Sequence, residues 1–375
     1  MTRLPRFQPR AIVVLFVSVA LLASSCASGR TKHRAPEVQL AFAWEWVAPS
    51  PSYVGMPVAD DAAVAATFGH HGLVLLTPAG KLQWLVEHDR LRDVAPALGT
   101  DIVVAAAEGA VVAFDRATGA ERWVAPLGNE RPTAPVLTAD LVVVLTWEGH
   151  AVALGRNDGR ERWRATLPSG AMATPVADAG TVVAMWQAES PDAAAGVLAL
   201  DLRTGATRWA QAIDPGGLGG VGGPALVSGG GRGLVVLVGG DLRIHAFDVA
   251  DGAVRWVADT ARGAGSPEVP PVAQGSDVIV ADRLTGLTRL AAADGSRRWA
   301  VTGPGALVRG GPVALPRGRV ALPIDAGGLL VTAGGRAPRL YSSDGRVSGL
   351  ARSRELLVVA TREGDRNAIS AFRTR

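Results

Sequence analysis

Residues 108–123 read EGAVVAFDRATGAERW, and the fold is decided by that stretch. An apolar run of strand length leads into the tight turn D-R-A-T-G, and a second short run then ends on Trp123. Runs of this length punctuated by Gly, Asp and Asn are the signature of antiparallel strands joined by tight turns. The arrangement recurs as GHAVALGRNDGRERW at Trp163, AGVLALDLRTGATRW at Trp209, DLRIHAFDVADGAVRW at Trp256 and TGLTRLAAADGSRRW at Trp299. A shorter copy, LVLLTPAGKLQW, ends at Trp84. In all six a glycine lies four residues before the tryptophan: Gly80, Gly119, Gly159, Gly205, Gly252 and Gly295.

Two degenerate copies extend the series. Arg339-Leu340 stands where Arg208-Trp209 stands, which makes Leu340 an anchor, and FAWEWV near the start supplies Trp46. The anchors Trp46, Trp84, Trp123, Trp163, Trp209, Trp256, Trp299 and Leu340 are then 38, 39, 40, 46, 47, 43 and 41 residues apart. Periods of about 40–50 residues with four strand-like runs each are those of propeller blades. The expected fold is all-β, an eight-bladed β-propeller of four-stranded antiparallel blades. After Leu340 the chain offers only three more strands, so residues 39–47 are expected to supply the fourth and close the ring with an N-terminal strand, leaving no sheet face unpaired. On each fourth strand the Trp and the preceding residue point to opposite sides. The indole is expected between blades. The preceding arginine (Arg122, Arg162, Arg208, Arg255, Arg298 and Arg339) is expected in solvent, guarding the edge. Asp115 and Asp201 are expected to cap the turn by accepting backbone N–H bonds.

The first residues belong to a different kind of segment. Arg3, Arg6 and Arg10 precede an apolar run at 11–22, too short to span a bilayer, and small residues lead to Cys26, the sole cysteine. This pattern resembles a bacterial lipoprotein signal. The expected organisation is a signal peptide at 1–25, a lipidated Cys26 with a polar tether at 26–37, and the propeller at 38–375. With Cys26 consumed, the domain has no disulfide and no thiolate metal site. Removing the three leader arginines lowers the formal charge from +4 to +1, which with no basic run argues against nucleic acid as a partner.

The A-[LF]-D-x-x-T-G-x-x-x-W pattern resembles the PQQ-like repeat of quinoprotein dehydrogenases and of the BamB propellers of outer-membrane protein assembly. The dehydrogenase resemblance implies PQQ held between a tryptophan and a vicinal disulfide, with Ca²⁺ and a catalytic aspartate. A single cysteine cannot build that platform, so no cofactor, no metal and no catalytic residue are expected. Trp147 and Trp186 lie off the anchor column and are read as filling space between blades. GLGGVG at 217–222 has no strand–helix context and is read as loop, while His70, His71 and His150 are read as solvated turn residues. The BamB resemblance implies a non-catalytic, monomeric scaffold outside the cytoplasmic membrane, held by its lipid and binding envelope proteins. The alternatives are a PQQ-dependent dehydrogenase-like enzyme and an extracytoplasmic sugar- or peptide-binding sensor. The repeat is lengthened only at 187–196 and 212–223, which blade topology places on one rim. These loops, with Gln187, Glu189, Asp192, Asp214 and Leu218, are the candidate partner site.

Overall fold

Each unit of four apolar runs folds back and forth as its own sheet, giving eight four-stranded antiparallel sheets. The computed structural model of the chain describes residues 40–49, 54–69, 72–88, 90–171, 173–178, 180–188, 194–213, 223–229, 231–259, 269–282, 286–303, 310–324, 328–336, 338–342, 345–363 and 366–374. Blades 1 to 7 occupy 58–87, 97–126, 136–166, 176–213, 225–258, 272–301 and 313–342. Blade 8 takes three strands from 346–374 and its outermost strand from Leu40–Val47, which pairs antiparallel with Arg366–Thr374. The ring is therefore closed by the N-terminal strand.

The middle strands of a blade are buried on both faces, and the strand period of two divides their side chains between neighbours. Val142, Val144, Val152 and Leu154 of blade 3 pack against Ile102, Val104, Ala113 and Trp123 of blade 2. The alternate residues Val143, Leu145, Ala151 and Ala153 pack against Val182, Ala184, Leu198 and Leu200 of blade 4. The ring joint is built the same way, from Val64, Ala66, Val74 and Leu76 of blade 1 with Val358, Ala360, Ile369 and Ala371 of blade 8. Edges are treated differently. A proline stands immediately before the innermost strand in seven blades (Pro57, Pro96, Pro135, Pro175, Pro224, Pro271 and Pro312). Lacking an N–H, it is tolerated at the first position of an edge strand and gives a stray strand nothing to pair with there.

Every tryptophan on a fourth strand rests on the next blade. Trp84 donates its indole N–H to the Arg116 carbonyl (2.8 Å), Trp123 to Arg156 (3.0 Å), Trp163 to Leu202 (2.9 Å), Trp209 to Val249 (2.8 Å) and Trp256 to Ala292 (2.7 Å). Beneath each ring lies the turn glycine of that next blade. Gly159 has φ +65°, and a Cβ there would stand 2.5 Å from Trp123 Cε3. Only glycine satisfies both the left-handed backbone and the close approach.

Two anchors differ from the sequence reading. In blade 8 the residue in this position is Trp44, not Trp46: Trp44 pairs with Ala371, donates to the Pro78 carbonyl (2.8 Å) and lies over Gly80. Trp46 packs edge-on against Phe68 instead, at 6.3 Å between centroids. Leu340 is not an anchor either. It pairs with Leu330, whose side faces blade 6, and is 56% exposed, whereas Tyr341 faces the blade 7–8 cluster. The reason is topological. Blade 8 has no turn between its third and fourth strands, because those come from opposite ends of the described chain, so no glycine turn awaits an indole from blade 7.

The arginine before the tryptophan is paired rather than simply solvated in blades 2 to 5. Arg122 bridges Asp115 (2.8 Å) and Asp101 (2.7 Å), Arg208 meets Asp201 (2.7 Å), and Arg255 meets Asp248 (2.6 Å). Asp115 also accepts the Ala117 and Thr118 N–H groups, as Asp201 accepts those of Arg203 and Thr204. Further pairs cross between blades: Arg116 takes Asp60 in a two-point contact (2.7 and 2.8 Å), and Arg156 takes Asp101 (2.5 Å). These guanidinium contacts pull the Asp115 and Asp201 carboxyls down to about 2, and Arg156 with Arg122 does the same for Asp101.

Trp123→Ala is expected to destabilise the ring by about 3–5 kcal/mol, because a buried indole leaves a cavity between blades. Leu340→Ala is expected to cost under about 0.5 kcal/mol. Denaturant melts giving Leu340→Ala the larger loss would return Leu340 to the anchor column. The lowered carboxyls also set an acid limit. Their folded-state values lie below the unfolded ones, so their contribution is complete above about pH 4 and is lost as pH falls towards 2. Melts at stepped pH should show that loss in the parent and a shallower one in Asp115→Asn; equal slopes would show that Asp115 contributes nothing.

Candidate functional site

Because each blade is a meander, two kinds of connection share one rim: the turns between second and third strands, and the crossovers to the next blade. The other rim carries the remaining turns. The first, the crossover rim, is where the sequence reading put its candidate loops. Gln187 donates its backbone N–H to the Gly170 carbonyl (3.0 Å), and its own carbonyl accepts from the Ser169 hydroxyl. At the far end of the second loop, a Cβ on Gly223 would lie 3.1 Å from the Thr174 carbonyl. The described ends of both loops thus lean on the same crossover, between blades 3 and 4. Glu189, Asp192, Asp214 and Leu218 lie outside the described residues, as do Cys26, His70 and His71.

The same crossover touches a group that the sequence reading missed. A Cβ on Gly170 would collide with the Trp147 carbonyl, so the glycine lets the blade 3–4 crossover settle against the Trp147 turn. Trp147 does not fill space between blades; it sits partly buried on the rim, in the turn between the second and third strands of blade 3. Two guanidinium groups lie over its ring, Arg131 at 4.5 Å and Arg92 at 5.1 Å from the centroid. Each arginine is itself held by a glutamate. Glu148 accepts both the Arg131 backbone N–H (2.8 Å) and its Nε (2.9 Å), and Glu108 meets Arg92 at 2.5 Å. Burial would raise the Glu148 carboxyl, but the Arg131 N–H and guanidinium outweigh it and hold the group below its ordinary range. A few residues away Glu130 accepts Arg164 (2.5 Å) and meets His150 Nδ1 (3.2 Å), so His150 is paired rather than merely solvated.

A blade-by-blade comparison separates what is repeated from what is particular. Arg92 and Arg131 are 39 residues apart and Glu108 and Glu148 are 40 apart, so the arginine–glutamate pair is one feature occurring in blades 2 and 3. Where blade 3 has Trp147, blade 2 has Ala107. That period was visible in the sequence; the meeting of three separate segments over one ring was not. A partly exposed indole with stacked guanidinium groups, oriented by carboxylates, offers apolar area and fixed charge at once. Trp and Arg are the side chains most enriched among residues that dominate protein interfaces.

The geometry also bears on PQQ. Of the tryptophans off the anchor column, Trp147 has its ring beneath two guanidinium groups. Trp186 is buried, packed against Gly196, with its N–H given to the Ala194 carbonyl (3.0 Å). Neither offers a bare ring beside a pair of cysteines, since the one cysteine is Cys26. Among the described residues, no three His, Cys, Asp or Glu side chains are grouped to hold a metal ion. The residues present do not fit the dehydrogenase cofactor platform.

A family model described as "Outer membrane protein assembly factor BamB" matches residues 69–216 and 193–353. Among solved structures, BamB from Moraxella catarrhalis superposes with a TM-score of 0.67 at 18% identity, covering 89% of this chain and 98% of that one. Quinohemoprotein alcohol dehydrogenase from Comamonas testosteroni superposes at 0.72 with 14% identity, over 89% of this chain and 76% of that one. The computationally designed Ika8 protein superposes at 0.70 with 14% identity, over 90% and 100%. At such identities these likenesses establish the propeller alone. No curated protein matches the sequence.

Proposed function

This chain belongs to the family of the outer membrane protein assembly factor BamB, and from that premise we propose that it is a non-catalytic scaffold of the cell envelope, anchored by a lipid on Cys26, that holds a partner protein on the crossover rim of blades 2–4. The observation that carries this reading is Trp147. It is a large apolar ring left partly exposed, with its guanidinium neighbours fixed, beside the crossover that the described ends of both lengthened loops meet. A site for chemistry needs a nucleophile, a base or a bound electrophile in mutual reach. This rim instead offers stacked and charged area, which suits capture. The segment before the propeller supports the location: a short apolar run with small residues leading to the sole cysteine.

A single cysteine placed on the rim tests this reading in cells, since Cys26 would be lipidated and unavailable to a thiol crosslinker. Gln187→Cys is expected to trap one envelope protein, and Trp147→Ala in that background is expected to lower its yield severalfold. Arg160→Cys, on the opposite rim, should not trap that protein. Equal trapping from both rims, or no effect of Trp147→Ala, contradicts the assignment. Turnover of an alcohol by the purified protein with PQQ and Ca²⁺ would contradict its non-catalytic part.

A further inference from the structure

The rim opposite Trp147 divides by charge. In blades 2, 4 and 5 the arginine before the tryptophan is matched by a turn aspartate, Arg122 by Asp115, Arg208 by Asp201 and Arg255 by Asp248. In blade 6 the matching turn position is Ala291, and Arg298 comes no nearer than 3.7 Å to Asp277, which is already taken by Arg289 at 2.7 Å. From there round to the ring joint, exposed arginines accumulate: Arg297 and Arg298 in blade 6, Arg317 and Arg336 in blade 7, and Arg352 and Arg373 in blade 8. Against these six, the exposed acids described at this end of blades 6–8 are Asp294 and Glu355.

The chain enters the propeller in this same sector. Leu40 pairs with Thr374, so Leu40–Val47 begins on this rim and runs towards the other. Leu40 lies fourteen residues on from Cys26, a reach of at most about 50 Å when fully extended. The described chain thus begins on the arginine-rich rim, opposite the rim that carries Trp147.

We propose that this sector of blades 6–8 is an electrostatic docking face for a membrane surface bearing anionic phospholipid headgroups. The orientation rests on the anchoring reading given above; the affinity for anionic lipid does not. Guanidinium groups pair with phosphate oxygens through two parallel hydrogen bonds and remain charged at any physiological pH. Their attraction to the surface extends only about 8 Å at physiological ionic strength, so the face works once the tether or a collision has brought it near. In blades 1–5 most arginines of this rim already hold aspartates, which weakens the attraction there. Docking would turn the crossover rim outward and leave it open to a partner.

The ring closes through strands within 40–374, so the unlipidated chain from Ala27 onward contains the whole domain and is the protein to test. Co-sedimentation with phosphatidylcholine vesicles should be negligible. With phosphatidylglycerol added, binding should appear and be lost at about 0.5 M salt. Arg297→Glu with Arg352→Glu should weaken it about tenfold or more. Arg160→Glu with Arg203→Glu, the same charge change on exposed turns of blades 3 and 4, should alter it less than twofold. Equal loss in both pairs, no preference for phosphatidylglycerol, or tighter binding to a DNA oligonucleotide than to the vesicles would each overturn the proposal. Because this protein lacks Cys26, none of those results bears on the lipid anchor. Release of a Cys26→Ser chain from cell membranes tests that separately.

Discussion

The indole laid over a glycine turn of the neighbouring blade is the contact on which the rest of this ring depends. It joins two requirements that no local interaction could satisfy. The turn needs a left-handed residue, and the neighbour needs a flat surface without a Cβ to press against, and glycine alone meets both. The indole N–H then finds a carbonyl in that same turn, so a large ring is buried without stranding its polar atom. Repetition fixes the angle between successive blades, and with it the number that closes the circle. Where the motif has no counterpart, at the step from blade 7 to blade 8, the sequence carries no tryptophan. Tyr341 and the apolar cluster of Val331, Val347, Leu357 and Val359 make that joint.

Closure leaves two edges per blade and two rims to be dealt with, and each receives its own chemistry. The inner edge is blunted by proline and the outer edge by arginines tied to turn aspartates. On one rim, ion pairs run from turn to turn through blades 1 to 3 and stiffen it. On the other, two crossovers and a strand turn bring Arg92, Arg131 and Trp147 together from segments far apart in sequence. A rigid ring with one irregular rim suits a scaffold: the framework holds the geometry and the crossovers supply recognition. The dehydrogenases of the same shape show that the ring itself is neutral as to chemistry.

The blade count and strand order were legible because glycine and tryptophan recur four residues apart. The two errors arose where that spacing loses its meaning. Trp44 and Trp46 lie on the same side of one strand, and alternation cannot choose between them; the 40-residue step from Trp44 to Trp84, close to the following steps of 39 and 40, would have chosen correctly. Leu340 was placed by the match of Arg339-Leu340 to Arg208-Trp209. The fourth strands that carry a tryptophan have a bulge beside it, and the blade 7 pair has none, so that match put Leu340 on the wrong face. The rim cluster was hidden for a different reason. Its ion pairs repeat with the blade period, but a cation over a ring is set by the crossing of three loops, which no linear pattern encodes.

The central claim is that the ring is held by each indole pressing on the next blade's glycine, and a double-mutant cycle between Trp123 and Gly159 tests it most directly. Gly159→Ala in the parent meets both a backbone penalty of roughly 1–2 kcal/mol and a collision with the indole. With Trp123→Ala already present the collision is gone and only the backbone penalty remains. The account predicts that Gly159→Ala costs at least about 1 kcal/mol less in the Trp123→Ala background than in the parent. Additive losses would show that the two residues act independently and that the contact does not hold the blades together.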